Sequence, residues 1–277
     1  RVLVWMKYEY SKILGTLISV KKLDHFKRAG RLGGLERVRI HGNPGTTEGR
    51  RRGGLNSLKT HRLRGTGYKL LRKVKVPKYS ISLAELLGIL AGDGHVDRYQ
   101  TTMTTNSKTD CEHAQYVKQL FERLFDVPVT LRVRPERNVC IVVVSSRQVC
   151  LLLLRMGMVQ GNKVLLQLKT PPWIAQRPRY STAFARGLFD TDGCVFVYRH
   201  TIKSKIYRNL GMAFTNRSIP LLEHFKRTLE SIGAHPTQKT KYTVFLRRER
   251  DIQLYFDVVG SSNPKHMRKV AEYFRSK

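Results

Sequence analysis

The sequence predicts an α+β protein made of two tandem copies of one αββαββα unit, related by a pseudo-twofold axis and preceded by a basic N-terminal extension. An apolar segment that ends in Asp-Gly occurs at 82–94 and returns at 181–193, and the same order of helices and strands follows each copy. The first 80 residues hold 21 Lys and Arg against four Asp and Glu, which sets them apart. The expected boundaries are an extension at 1–75, a first repeat at 76–159, a linker at 160–180, and a second repeat with a C-terminal tail at 181–277.

The charge of the chain indicates a polyanionic partner. Its 277 residues include 52 Lys and Arg against 20 Asp and Glu, a formal net charge of +32. Solubility does not require such a surplus, so nucleic acid is the expected partner, and a merely basic or ribosome-associated protein is the alternative. The apolar runs are too short to span a bilayer, and no membrane partner is expected.

The four cysteines show neither CxxC pairs nor the spacing of a zinc site. This pattern indicates a reducing compartment. We expect the cytoplasm, in association with the nucleoid, with an organellar matrix or stroma as the alternative.

The extension contains a short internal repeat. The segment "RLGGLERVRIH" at 31–41 recurs as "RRGGLNSLKTH" at 51–61, twenty residues later. The segments after each Gly-Gly could be basic helices that touch phosphate, or the whole extension could be a solvated, flexible arm. Too little apolar surface is present here for a stable core of its own.

The first repeat begins with the apolar helix at 82–94, which Gly94 can end. In the hairpin, Val129, Leu131 and Val133 alternate with polar residues, so one face of the sheet is apolar and the other is basic. The other predicted elements, in order, are one or two strands at 95–105, an amphipathic helix at 106–125, the hairpin at 127–146 and an apolar helix at 147–157.

The second repeat follows a linker in which Pro171, Pro172 and Pro178 are expected to break any helix. The side chains of Trp173 and Ile174 are expected to pack this linker against the rest of the protein. Its order of elements is that of the first repeat. The predicted elements are a helix at 181–193, a hairpin at 194–216, an amphipathic helix at 218–233, a second hairpin at 235–248 and a helix at 250–260, before a short basic helix in the tail.

The two Asp-Gly segments are the candidate site. A carboxylate at a helix C-terminus is disfavoured by the helix dipole, so the repeated placement of Asp93 and Asp192 suggests an offsetting divalent cation. Small residues at helical spacing leave grooves where the two helices can pack together. These residues are Gly88 and Gly92 in the first helix, and Ala183, Gly187 and Thr191 in the second.

The segments "LLGILAGDG" at 86–94 and "ARGLFDTDG" at 185–193 resemble the two copies of the nine-residue signature of the LAGLIDADG homing endonucleases. Asp93 and Asp192 fall on the last acid of the signature. The sixth position differs between the copies, since it is Ala91 in the first and Asp190 in the second. The resemblance covers about residues 76–277 and leaves the basic extension outside.

This resemblance implies a monomer whose two saddle-shaped antiparallel sheets straddle DNA. Members of the family bind long, largely asymmetric sites and cut both strands with a divalent metal, normally Mg²⁺, with Mn²⁺ as a substitute. Asp93 and Asp192 would hold the metal, with the carbonyls of Gly92 and Thr191 as further ligands, and Lys239 or Lys241 would assist in the second half. The expected DNA contacts are Thr130, Arg132, Arg134, Arg199, Lys203, Lys205, Arg208, Arg247 and Arg248.

Two rival functions stay open at this point. One is an RNA maturase that assists the splicing of its own intron, for which the basic extension would matter most. The other is a DNA-binding regulator that has lost catalysis, and the presence of both acids argues against it. No splice-junction residue stands at Arg1 or Lys277, so we expect an intron-encoded or free-standing enzyme.

Overall fold

A computed structural model describes residues 24–41, 45–66 and 73–276. The chain divides into two compact units, Arg1–Leu70 and Leu71–Lys277. Much of the predicted extension at 1–75, and the terminal residues Arg1 and Lys277, lie outside the described residues.

The N-terminal unit contains two helices in its described part. They are α1, which spans 24–41, and α2, which spans Thr47–Leu63. Thr46 caps α2, since its side-chain oxygen accepts a hydrogen bond from the Gly49 N–H at 3.0 Å. Neither helix has a buried residue.

The second unit opens with the first αββαββα repeat. The central strands of its sheet are β2 and β4, and every neighbouring pair is antiparallel in the order β1-β2-β4-β3. The elements are α3 (Ile81–Gly92), β1 (Gly94–Val96), β2 (Thr101–Asn106), α4 (Cys111–Phe125), β3 (Thr130–Arg134), β4 (Val139–Val144) and α5 (Arg147–Arg155).

The same topology recurs after a linker that contains the short helix α6 (Pro172–Ala175). The second sheet has the antiparallel order β5-β6-β8-β7. The elements are α7 (Pro178–Asp192), β5 (Gly193–Ile202), β6 (Lys205–Thr215), α8 (Ile219–Ser231), β7 (Thr237–Thr240), β8 (Thr243–Leu246), α9 (Glu249–Val258) and α10 (Pro264–Arg275). The predicted α+β class with two tandem repeats is confirmed.

Helix α3 lies at the centre of the hydrophobic core. All residues from Leu83 to Ala91 are buried, and apart from Glu85 none of them carries a polar side chain, as is typical of a helix that is surrounded by core. In the linker, Ile174 is buried and Trp173 stacks on Tyr79 with ring centroids 4.2 Å apart. Within the described ranges, no helix has the length and apolar character needed to cross a membrane.

Three local predictions were wrong. Helix α4 begins at Cys111 rather than at 106, because the Asn106 side-chain oxygen accepts hydrogen bonds from the N–H groups of Lys108 and Thr109 and forms a turn. Pro178 begins α7 instead of breaking it, since the first helical position needs no N–H partner. Val133 is 46% exposed, so the apolar face of β3 is incomplete.

Candidate active site

Helices α3 and α7 pack backbone against backbone through glycines. A Cβ atom at Gly88 would overlap the main-chain oxygen of Phe184. A Cβ atom at Gly187 would overlap the main-chain oxygen of Glu85 and lie 2.7 Å from the main-chain nitrogen of Ile89. Ala183 is buried in the same helix. The small residues therefore let the two helices approach more closely than larger side chains would allow.

This close packing brings the two signature acids together. Asp93 is the C-cap of α3, and Asp192 is the last residue of α7. A Cβ atom at Gly92 would overlap the Thr191 side chain and lie 3.2 Å from the Asp192 Oδ2 atom, so the Asp192 carboxylate lies beside the end of the other helix. Burial, and then the charge of Asp93, raise the pKa of Asp192 to about 6. Burial also raises the pKa of Asp93.

A lysine lies between these acids and the end of α3. The Lys163 Nζ atom donates hydrogen bonds to the main-chain oxygens of Leu90, at 3.0 Å, and Gly92. Burial lowers the pKa of Lys163, while the charges of Asp192 and Asp93 act in the opposite direction. The ammonium group thus compensates both the carboxylates and the negative end of the helix dipole.

The surroundings of the two acids differ. The Asn216 Nδ2 atom donates a hydrogen bond to the Asp192 Oδ2 atom at 2.8 Å. In the first half a third carboxylate, Asp110, lies near Asp93 and raises its pKa further. Asp110 accepts a hydrogen bond from Asn263 at 2.6 Å and pairs with the Lys265 ammonium at 2.6 Å. The two halves are therefore chemically unequal.

The oxygen-rich ligand set fits a hard divalent cation such as Mg²⁺, Mn²⁺ or Ca²⁺. Asp93 and Asp192 supply two carboxylates whose pKa values are raised chiefly by desolvation. Within the part of the chain that the structure describes, no group of three or more His, Cys, Asp or Glu side chains could hold a metal. Further ligands would have to be main-chain or substrate oxygens, and the Gly92 carbonyl already accepts from Lys163.

Asp190, the acid at the sixth position of the second signature copy, is buried and hydrogen-bonded within the protein. It is 1% exposed, and its carboxylate accepts hydrogen bonds from the Ser261 hydroxyl at 2.5 Å and the Ser262 N–H at 2.9 Å. Burial raises its pKa to about 7. The neighbouring Glu85 pairs with Arg186 at 2.6 Å. These groups join the helix pair to the segment before α10.

In the first sheet, the register places Thr130, Arg132 and Arg134 opposite Val143, Ile141 and Val139. The alternate residues of β4, Cys140, Val142 and Val144, are buried in the core. The three predicted contact residues therefore lie on the face of the sheet that points away from the helices.

In the second sheet, the register places two of the predicted DNA contacts on the face that carries core residues. Arg199 and Arg208 pair with each other on the face that carries the buried Val195. The Arg208 Nη1 atom donates to the Ser276 hydroxyl at 2.6 Å, and its guanidinium lies 5.7 Å from the Tyr273 ring centroid on α10. Because strand residues alternate between faces, these two arginines lie on the helix side of the sheet.

The other predicted basic residues lie elsewhere in the second half. Arg247 stacks on the Phe245 ring at 4.8 Å, and Lys203 stands in the turn of the β5–β6 hairpin with φ of 45°. Lys205 starts β6, and Arg248 is the N-cap of α9. Lys239 and Lys241 are exposed, and among the described residues neither forms an ion pair with Asp192.

Two features were missed in the sequence. Lys163 had no assigned role, because its neighbours at the site are distant in the chain. The outer face of the β5–β6 hairpin also carries aromatic rings: His200 stacks on Tyr207 at 5.4 Å and lies 6.1 Å from Tyr198. The alternation of Phe196, Tyr198 and His200 is a signal that could have revealed this row.

A family model described as LAGLIDADG-like domain matches residues 179–269. The chain is 30% identical over 204 residues to the tRNA-splicing ligase RtcB of Methanopyrus kandleri, and 25% identical over 201 residues to that of Pyrococcus furiosus. Each match covers 66% of this chain and 20% of the relative, so the chain spans about a fifth of the length of the curated relatives it matches.

Among solved structures, the chain is similar to I-DmoI in complex with DNA and Mn, with 21% identity and a TM-score of 0.44 over 66% of this chain and 97% of that one. It is also similar to I-SmaMI bound to an uncleaved DNA target with calcium ions, with 12% identity and a TM-score of 0.47 over 70% and 89% of the two chains. A third match is full-length DUF199/WhiA from Thermatoga maritima, with 16% identity and a TM-score of 0.43 over 72% and 63%.

Proposed function

Because the chain carries a LAGLIDADG-like domain over residues 179–269, we propose that it is a site-specific endonuclease that cleaves double-stranded DNA with Mg²⁺ or Mn²⁺. The observation that carries the proposal is the meeting of Asp93 and Asp192 at the ends of two closely packed helices, with the Lys163 ammonium beside them. Intron homing is the biological role that we infer for such an activity.

In this proposal Asp93 and Asp192 hold the metal, and the Thr191 carbonyl and phosphate oxygens of the substrate complete its ligands. When bound, the metal would lower the pKa of the attacking water and stabilise the leaving 3′ oxygen. Lys163 supplies a fixed positive charge close to the scissile phosphates, where negative charge develops during the reaction.

The outer faces of the two sheets hold the DNA. Thr130, Arg132 and Arg134 of the first sheet provide contacts to phosphates and base edges. Lys203, Lys205, Arg247 and Arg248 do so in the second half, together with Lys239 and Lys241 near its cleavage position. Since the two halves of the monomer differ, the recognised site is asymmetric.

The test is cleavage of a plasmid library with randomised sites, with sequencing of the ends. We expect discrete breaks with short 3′ overhangs in Mg²⁺ and none in Ca²⁺, and no breaks in Mg²⁺ with the Asp93→Asn/Asp192→Asn variant. Enrichment of a DNA sequence without breaks would replace the proposal with a DNA-binding regulator. Neither breaks nor enrichment would direct the search to structured intron RNA.

A further inference from the structure

The repeated pattern of the N-terminal unit lies in a helix in both of its copies. Residues 31–41 belong to α1, and residues 51–61 belong to α2. The pairs Gly33-Gly34 and Gly53-Gly54 therefore occupy matching positions in the interiors of two helices.

The packing of the described residues does not explain these four glycines. Glycine is among the least favourable residues in a helix interior. At Gly88 and Gly187 a partner helix requires it, whereas a Cβ atom at any of Gly33, Gly34, Gly53 and Gly54 would have no neighbour within 4 Å. Each pair therefore leaves a patch of helix surface without side chains, and the described residues supply no partner for it.

A positive charge flanks each glycine pair on the same helix face. Arg37 follows Gly33 and Gly34 by four and three residues, and Arg50 precedes Gly53 and Gly54 by three and four, which are the spacings of facing neighbours on a helix. Among the described residues neither arginine forms an ion pair. Both are exposed.

The arginines that do form ion pairs point elsewhere. Arg39 pairs with Glu36 at 2.7 Å, and Arg52 pairs with Glu48 at 3.9 Å. Arg39 is five or six residues from its glycine pair, and Arg52 is one or two residues from its own, so neither lies on the glycine face. Glu36 and Glu48 are thus bound to arginines away from that face.

We propose that α1 and α2 each dock their glycine face on the sugar–phosphate backbone of double-stranded DNA, with Arg37 and Arg50 bound to phosphates. The absence of side chains lets the helix backbone approach the strand, and the unpaired positive charge complements it. Such contacts carry no sequence information. The unit is therefore a sequence-independent anchor that acts whether or not the second unit cleaves.

The first test compares two double variants of the full chain that lose the same charge. Binding of a fluorescein-labelled DNA duplex of arbitrary sequence is measured by anisotropy over a salt series without divalent ions. In Arg37→Ala/Arg50→Ala, the slope of log affinity against log salt should fall by about two units, one for each lost phosphate contact. Arg39→Ala/Arg52→Ala should keep the native slope. Equal losses in both variants would show a diffuse charge effect and overturn the proposal.

The second test uses Gly34→Leu/Gly54→Leu, which leaves the charge unchanged. Because leucine is a better helix former than glycine, circular dichroism should show equal or higher helix content while affinity for the same duplex falls. Unchanged affinity would overturn the glycine contact. A loss seen only with a hairpin RNA of matched length would assign the surface to RNA instead. Neither of these two tests measures site-specific cleavage, so their outcomes are independent of the nuclease proposal.

Discussion

Lys163 places its ammonium group at the C-terminal end of α3, where Nζ donates a hydrogen bond to the main-chain oxygen of Gly92. The same ammonium interacts with the charges of Asp192 and Asp93. The offsetting cation expected at this helix end is thus, in part, a side chain from the segment after α5. A metal at the site would share these oxygens with a lysine.

Replacement of either signature acid should stop cleavage without stopping binding. We expect Asp93→Asn and Asp192→Asn each to lower the cleavage rate by at least about a hundredfold, because each carboxylate is a proposed ligand of the metal. Affinity in Ca²⁺ should stay close to native. Asp126→Asn is the control, since Asp126 is an exposed carboxylate with φ of 54°, a conformation that Asn tolerates. Native cleavage rates in both active-site variants would refute the assignment.

Lys163→Met should slow cleavage by about a hundredfold while leaving DNA affinity in Ca²⁺ within a few-fold of native. The matched control is Lys226→Met, which removes a lysine that pairs with Glu230, at 4.0 Å, on the surface of α8. Single-turnover rates on one cloned site would separate the two variants. Similar rates in both would mean that Lys163 has no special role.

Gly88→Ala and Gly187→Ala should each destabilise the second unit by about 2–4 kcal/mol, because the added Cβ atom would overlap the backbone of the facing helix. Urea unfolding monitored by tryptophan fluorescence measures this loss. Gly53→Ala is the control, since a Cβ atom there meets nothing within 4 Å. A loss below about 1 kcal/mol in both variants would mean that the helices can separate at little cost.

Two pairs of arginines, which lie on different faces of their sheets, should differ in their effect on DNA binding. Arg132→Ala/Arg134→Ala removes charge from the outer face of the first sheet, so affinity for the cleavage site should fall and the salt slope should decrease by about two units. Arg199→Ala/Arg208→Ala removes equal charge from the helix side of the second sheet and should change the slope little. Anisotropy titrations in Ca²⁺ would show the reverse ranking if the faces were assigned wrongly.

His224 should make the protein less stable in acid. Burial lowers its pKa to about 4 from 6.5, so between these values the unfolded chain binds more protons than the folded one. Stability is therefore fully present above pH 6.5 and falls as the pH drops towards 4, by roughly 3 kcal/mol from this group. His224→Gln can keep a hydrogen bond to Ser181 and should flatten the dependence of unfolding free energy on pH. An unchanged slope would contradict the shifted pKa.

Much of the fold could be predicted because it depends on local patterns. Apolar periodicity and turn residues predicted both repeats in their correct order, and the resemblance to the LAGLIDADG signature is confirmed over residues 179–269. The errors arose where a side chain changed the local backbone. At Asn106 a side-chain oxygen formed a turn that delayed α4, and at Pro178 a helix-breaking residue stood at the one position where it starts a helix.

The sequence by itself determined the tandem α+β architecture, the excess positive charge and the helix-end positions of Asp93 and Asp192, because these follow from residue type and spacing. Only the tertiary structure decided which groups surround the acids. Lys163, Asn216 and Asp110 reach the site from three separate segments. It also decided that the Arg208 side chain packs against Tyr273 of α10 rather than on the outer face of the sheet. Strand register and the packing of distant segments settle such positions, and neither is encoded in local spacing.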